Sequence, residues 1–211
     1  MNRNIIVFGA TGKTGRLICA ELELNNLPYS VFVREQSAKK IENSAVKIKI
    51  GNVLNVEDVQ QAFDKESFSD VIIALGSKDL KGSGIRSIGT INIIDTLNSN
   101  QSKSHIHVIS ALGVGESWIQ LNWFAKLISN LLINSTMTDH NRQEEYLKNS
   151  SLPYHIIRPV GLKDGDSKGE VHVQNEGFLP SNSIQRVDVA RFLVGSLLEN
   201  KTGVSGICQK K

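Results

Sequence analysis

Asn4 to Gly15 reads NIIVFGATGKTG, and this stretch decides the fold. Ile5, Ile6, Val7 and Phe8 form a short apolar run of the kind that makes a strand buried on both faces. Gly9, Gly12 and Gly15 then recur at every third position and turn the chain. Beyond them Leu17, Ile18 and Leu22 follow a helical period. A strand, a glycine-rich turn and a helix N-terminus together make an anion site. Backbone N–H groups point outward, the helix dipole favours negative charge, and missing side chains let a pyrophosphate approach. The letters GKT at 12–14 also suggest a triphosphate-binding loop, but that motif needs a glycine where Val7 stands. The spacing GxxGxxG fits the dinucleotide fingerprint instead.

Working outward, Tyr29 to Val33 is a second strand with Arg34 at its C-terminal end. In NAD-binding folds an acid stands about 20 residues beyond the glycines and holds the ribose 2′-OH. A cation there suits a 2′-phosphate and can stack on adenine, so Arg34 points to NADP(H), with Ser37 and Lys39 as assistants. A solvated surface arginine is the plainer alternative. Val46 to Ile50 alternates and reads as a half-buried strand, followed by Asn52 and a helix over 56–63. Asp70 to Leu75 is a further buried strand closed by Gly76, which lets the backbone pass close to a ribose. A helix through Ile85, Ile88, Ile91, Ile94 and Leu97 leads to a fifth strand, His105 to Ser110. Strands alternating with helices at this spacing predict a Rossmann-type, doubly wound α/β fold with a parallel sheet. Ligands then bind at the C-terminal strand ends, where Gly9 to Gly15, Arg34, Asn52, Gly76 and Ser110 all fall.

Trp118 to Ile133 carries two apolar stripes. One must pack on the domain; the other either roofs a pocket, meets a partner or is buried as well. A helix over 134–149, a strand over 153–157, a possible short strand over 170–173 and a last helix around 187–198 complete the pattern. Gly206 to Cys208 could add an edge strand. No repeat or linker interrupts the 211 residues, so the expectation is one domain over 1–211, with about 111–211 supplying the substrate side. The net charge of +3 is small and no basic stripe carries aromatics, which disfavours nucleic acid. Cys19 and Cys208 show no metal spacing and read as thiols of a reducing compartment. No leader or membrane-spanning run is visible, so a cytoplasmic monomer without membrane contact is expected. His105 and His107 share a strand face with no nearby Cys or carboxylate to complete a zinc set, and no metal is expected. There is no G-x-S-x-G elbow.

The motifs GATGKTG at 9–15, VFVRE at 31–35, GNVLN at 51–55, ALG at 74–76, Ser110-Ala111 and MTDHNRQEEYLKNSSLPYHIIRP at 137–159 run in order through the chain. In this it resembles the atypical short-chain dehydrogenase/reductase superfamily, in its NAD(P)-binding, NmrA-like branch. It is most similar there to the biliverdin-IXβ reductase/flavin reductase group. The resemblance implies NADPH-dependent reduction of flavins or open-chain tetrapyrroles. By it, Gly9, Thr11, Gly12, Lys13, Thr14 and Gly15 hold the pyrophosphate and Arg34 the 2′-phosphate. Asn52 and Val53 flank adenine, Leu75 and Gly76 line the ribose, Pro159 and Val160 back the nicotinamide, and Ser110 sits beside the reacting ring.

Three departures from that family bear on the chemistry. Asn52 replaces the usual Asp at the adenine position; its amide oxygen still accepts from the adenine amino group. The Tyr-x-x-x-Lys pair is replaced by Thr136 and His140, which speaks against tyrosine-driven ketone chemistry. Val160 stands where bilin-reducing members carry a histidine. Hydride transfer to a planar conjugated acceptor demands little acid help, so an apolar pocket is enough. Ala111, Trp118, Trp123 and Phe124 are its candidate walls. Ser110 and His140 are the candidate catalytic groups, Ser110 as a hydrogen-bond donor or a plain strand-end hydroxyl, His140 as proton donor or structural residue. The reading is therefore an NADPH-dependent reductase of a flavin (FMN or FAD) or biliverdin-like acceptor. The alternative is a non-catalytic NADP(H)-binding sensor or assembly factor, which the missing Tyr/Lys pair permits.

Overall fold

The computed structural model describes residues 3–77, 84–120 and 134–210. The first half runs β1 (Ile5–Phe8), α1 (Lys13–Leu24), β2 (Tyr29–Val33), α2 (Glu35–Ala38), β3 (Lys47–Ile50), α3 (Val56–Phe63), β4 (Asp70–Ile73), α4 (Ile85–Ser99) and β5 (His105–Ile109). After a 3-10 turn at Gly115–Gln120 come α5 (Asn134–Lys148), β6 (Tyr154–Pro159), β7 (Gly161–Lys163), β8 (Val171–Val173) and β9 (Ser183–Gln185). The chain closes with α6 (Arg186–Leu198) and β10 (Gly203–Gln209). The main sheet has the order β3-β2-β1-β4-β5-β6-β10-β8, parallel except where β8 runs against β10. The strand order reverses between β1 and β4, the switch point at which open α/β sheets bind ligands. A small parallel pair, β7 with β9, lies apart from it. This is the doubly wound α/β domain that the strand–helix alternation predicts.

Burial on both faces explains why β1 reads as an unbroken apolar run. Ile5 and Val7 enter one core layer with Ile18 and Leu22 of α1 and Val189, Leu193 and Leu197 of α6. Ile6 and Phe8 enter the opposite layer with Val59 of α3, Ile93 and Leu97 of α4 and Leu147 of α5. In that second layer Phe8 packs against Phe32 at 4.9 Å between ring centres, and Phe63 meets Phe68 edge-on at 5.6 Å. Such tilted and edge-on pairs are the preferred aromatic geometries.

Three expectations are corrected. β3 is an outer strand rather than a half-buried one, with Ile48 and Ile50 exposed. β10 is not an edge: it pairs with β6 on one side and β8 on the other. The helix expected through the isoleucine series is present as α4, with Ile94 and Leu97 of the series buried and Ile88 exposed. A step of three falls about 60° short of a full turn, so a strict three-residue series walks round the helix. Finally, His105 and His107 do meet a carboxylate. The parallel register of β4 and β5 sets Asp70 against His105, and donor atoms of Asp70, His105 and His107 lie within 4.8 Å of one another. The carboxylate is already engaged, however. It accepts from Arg3 Nη1 at 3.0 and 2.9 Å, from Ser69 Oγ at 2.7 Å and from His107 Nε2 at 3.2 Å. With a guanidinium on the same oxygens, the donor set suits a buried ion pair better than a cation. The apolar walls Trp123 and Phe124 lie outside the described residues, and nothing is described of the Trp118 side chain. No described helix is long and apolar enough to cross a membrane.

His155 on β6 joins His107 at the N-terminal edge of the sheet, its Nε2 2.9 Å from Ser205 Oγ. Burial, helped by mutual repulsion and by Arg3 and Lys201, pushes His105 and His155 down to about 4, and burial lowers His107 against the pull of Asp70. These rings are neutral when folded and take up protons when unfolded near pH 6.5. Stability is therefore full above about pH 6.5 and falls as the pH drops toward 4, by up to about 1.4 kcal/mol per pH unit for each histidine. Urea unfolding from pH 8 to pH 4 should show that plateau and decline, and His155→Gln should make the decline shallower.

Candidate functional site

The first β–α junction is built by close approach of backbone to backbone. Gly9 has φ +87°, and a Cβ there would overlap the carbonyl of Ala74 at the end of β4. A Cβ on Gly15 would overlap the Gly9 carbonyl, so the third glycine lets α1 press against the turn. Gly12 donates to the Gly9 oxygen at 3.0 Å and is the N-cap of α1. It brings no capping side chain, and no acid stands in the first turn. The leading N–H groups of α1 therefore retain their capacity for an anion.

The other strand tips extend the same edge. Gly51 N–H bonds to Val33 oxygen, Ala74 N–H to Phe8 oxygen and Ser110 N–H to Ile157 oxygen, so the ends are level. From β3 to β5 they span about 19 Å at ~4.8 Å per strand, a reach suited to an extended dinucleotide. Arg34 is exposed at the tip of β2 and makes no ion pair among the described residues, with Ser37 buried behind it and Lys39 exposed. The Asn52 side-chain oxygen accepts from Leu54 N–H at 3.2 Å, keeping one lone pair for a ligand. Val53 is buried and, with Leu75, faces Gly89 of α4, where a Cβ would press on both. A Cβ on Gly76 would meet open space up to Arg86 Nη2 at 4.0 Å. Thr11 and Thr14 are half-buried. Lys13 is exposed, and its Nζ bonds to Asp164 at 2.6 Å; Arg186 holds the other oxygen of Asp164 at 2.5 Å.

At the far end, Ser110 is buried at the tip of β5 and its hydroxyl lies 2.5 Å from Glu144 Oε1 of α5. Glu144 is gripped by Arg158 of β6, from Nε at 3.0 Å and from Nη2 at 2.5 Å, and Lys148 lies 3.3 Å away. Arg158 also reaches Glu116 at 3.0 Å, in the segment that follows β5. Its bond to Arg158 holds the Glu116 carboxyl down near 2, and burial of Arg158 is outweighed by its carboxylate partners, which raise its pKa. Gly115 N–H bonds to Asn141 Oδ1 at 2.6 Å and Lys148 lies 3.3 Å from Glu116, so that segment is fixed to α5 at two points. Ala111 is half-buried beside it; Pro159 is buried and Val160 half-buried at the tip of β6. The sequence reading passed over Glu144 and Glu116. The available signal was Arg158: an arginine inside an apolar strand is buried and must find carboxylates.

His140 is placed differently from its neighbours in the motif. It is buried on α5, its Nδ1 3.3 Å from Gln143 Oε1 of the same helix, and burial pushes it down to about 4. Asp139 does not orient it. Its oxygens accept from Ser87 N–H at 2.9 Å and Arg86 N–H at 3.2 Å, supplying from α5 the cap that Gly84 cannot give α4.

The glycines can be separated by experiment. Gly12→Ala leaves an allowed backbone (φ −76°) and puts its Cβ 3.2 Å from the Gly9 oxygen, in the path of a pyrophosphate. Calorimetry should show dinucleotide affinity reduced at least ~10-fold with little change in melting temperature. Gly9→Ala should instead cost about 1–3 kcal/mol of stability or more, from a positive φ and a backbone clash.

A family model described as NAD(P)H-binding matches residues 9–200. Among solved structures, the anaerobilin reductase ChuY of Escherichia coli O157:H7 superposes with TM-score 0.80 at 21% identity, covering 99% of this chain and 98% of that one. A short-chain dehydrogenase/reductase of Veillonella parvula, solved with NADP, gives TM-score 0.80 at 17% identity over 99% and 95% of the two chains. A Streptococcus pneumoniae protein assigned provisionally as an NADH-flavin reductase gives 0.76 at 18% identity over 99% and 100%. At such identities the likeness carries the fold alone. The family match spans nearly the whole chain, and with the glycine turn and level strand tips it leads to one conclusion: this protein belongs to the NAD(P)H-binding family and has its Rossmann-type fold.

Proposed function

We propose that the protein is an NADPH-dependent reductase of a planar conjugated acceptor, a flavin or a linear tetrapyrrole. The observation that carries this is the level row of strand tips running from Arg34, exposed and without an ion-pair partner, past the uncapped turn, to Ser110. Gly9 to Gly15 hold the pyrophosphate, with Thr11, Lys13 and Thr14 at its rim. Arg34 takes the 2′-phosphate, and Asn52 and Val53 flank the adenine. Leu75 and Gly76 line the ribose, while Pro159 and Val160 back the nicotinamide. When bound, the reduced nicotinamide supplies hydride. The part from about 111 onward forms the acceptor side, beginning at Ala111. The likeness to a structure solved with NADP and to a bilin-reducing protein supports this reading.

The chain's own groups favour an acceptor that needs no protein acid. Ser110 spends its proton on Glu144, and His140 is buried on α5 as a neutral ring beside Gln143. The proton that follows hydride comes from water, which a flavin or bilin tolerates and an isolated ketone does not. Stopped-flow mixing of the protein and NADPH with FMN, FAD or biliverdin should show loss of the 340-nm absorbance. Tight binding without turnover across flavins, bilins and quinones would instead identify a dinucleotide sensor. Arg34→Ala should weaken NADPH by at least ~10-fold, the weight of a charge-assisted contact, while leaving NADH within about twofold. Equal losses for both would remove the phosphate role from Arg34.

A further inference from the structure

We infer that Glu144 is a positioning residue that fixes Ser110 as a hydrogen-bond acceptor for the carboxamide N–H of the nicotinamide. This rests on the reading above, in which Ser110 stands beside that ring. The argument begins with hydroxyl bookkeeping. A serine has one proton to give and two lone pairs to offer. At 2.5 Å from a carboxylate gripped by Arg158, the Ser110 proton is committed to Glu144. A hydrogen bond to an ionised partner is about twice as strong as a neutral one, so a ligand does not easily reclaim that proton. What remains for a ligand is acceptor capacity alone.

The surroundings hold this polarity in place. Glu144 and Arg158 are buried, with side chains 2% and 4% exposed, and Arg158 approaches Glu144 through two nitrogens. A buried ion pair is seldom the most stable filling of its space, and packed apolar side chains do as well or better. What the pair achieves here is orientation. Glu144 cannot rotate away without stripping Arg158 Nε and Nη2 of their acceptors, and Arg158 is held in turn by Glu116 through Nη1. Ser110 is thereby kept from donating to a carbonyl oxygen and kept ready to receive an N–H. The carboxamide of nicotinamide presents both groups. The fixed serine selects the rotamer that turns its nitrogen inward and so fixes the orientation of the ring.

The test is a binding comparison that does not depend on turnover. NADP and its 3-acetylpyridine analogue differ in that a methyl ketone replaces the carboxamide, removing the N–H donors. Titration calorimetry on the whole protein should show NADP bound about fivefold more tightly than the analogue, the worth of one hydrogen bond. Glu144→Asp keeps the charge for Arg158 but withdraws the carboxylate from Ser110. It should reduce that preference to within about twofold, and Ser110→Ala/Glu144→Asp should add nothing to Ser110→Ala alone. Unchanged discrimination in a folded Glu144 variant, or equal weakening toward both nucleotides, would overturn the inference. Failure of the native protein to bind either nucleotide would overturn the functional reading as well. Binding with the expected discrimination but without turnover would uphold Glu144 while removing the reductase activity.

Discussion

Everything in this molecule depends on how closely one backbone can approach another at the first strand–helix junction. β1 is buried on both faces and cannot shift; the turn after it must fit beneath the end of β4 and beside the first turn of α1. Side chains at Gly9 or Gly15 would meet carbonyl groups of the frame itself. The same tightness leaves the start of α1 without a capping side chain, so the geometry that closes the fold is also the geometry that leaves N–H groups for an anion. Packing and ligand recognition are here one constraint.

From this junction the site spreads by topology. The order reversal between β1 and β4 sets the tips of β2 and β3 on one flank and the tips of β4, β5 and β6 on the other. The two ends of the sheet carry opposite electrostatic designs. The N-terminal edge buries Asp70 with Arg3 and keeps three histidines neutral. The C-terminal edge keeps Arg34 exposed and without an ion-pair partner among the described residues, holds the exposed Lys13 on Asp164, and buries the Glu144–Arg158 pair.

Much of this was legible in the sequence because the informative residues are local. Three glycines within one turn, an apolar run before them and a cation at the tip of β2 can be read without knowing the fold. The strand–helix alternation then gives the class of sheet. What escaped was whatever depends on neighbours distant along the chain. β10 reads as an edge until β8 is seen folding back against it. β3 alternates like a half-buried strand, yet nothing covers Ile48 and Ile50. Asp70 and His107 belong to different strands, and only their register brings them together. Glu144 looked like one of several helical acids; its partners lie on β5 and β6. The candidate proton donor His140 shows the same limit, since burial decides its state and burial is not written locally.

The loan of Asp139 to the start of α4 couples two helices that the sequence treats as separate. Neither Gly84 nor the first turn of α4 can satisfy its own N–H groups, so α4 completes that end only once α5 has docked. The pair should consequently form and open as one cooperative unit. Amide protons at the start of α4 and along α5 would then exchange with a common opening free energy, distinct from that of the glycine turn.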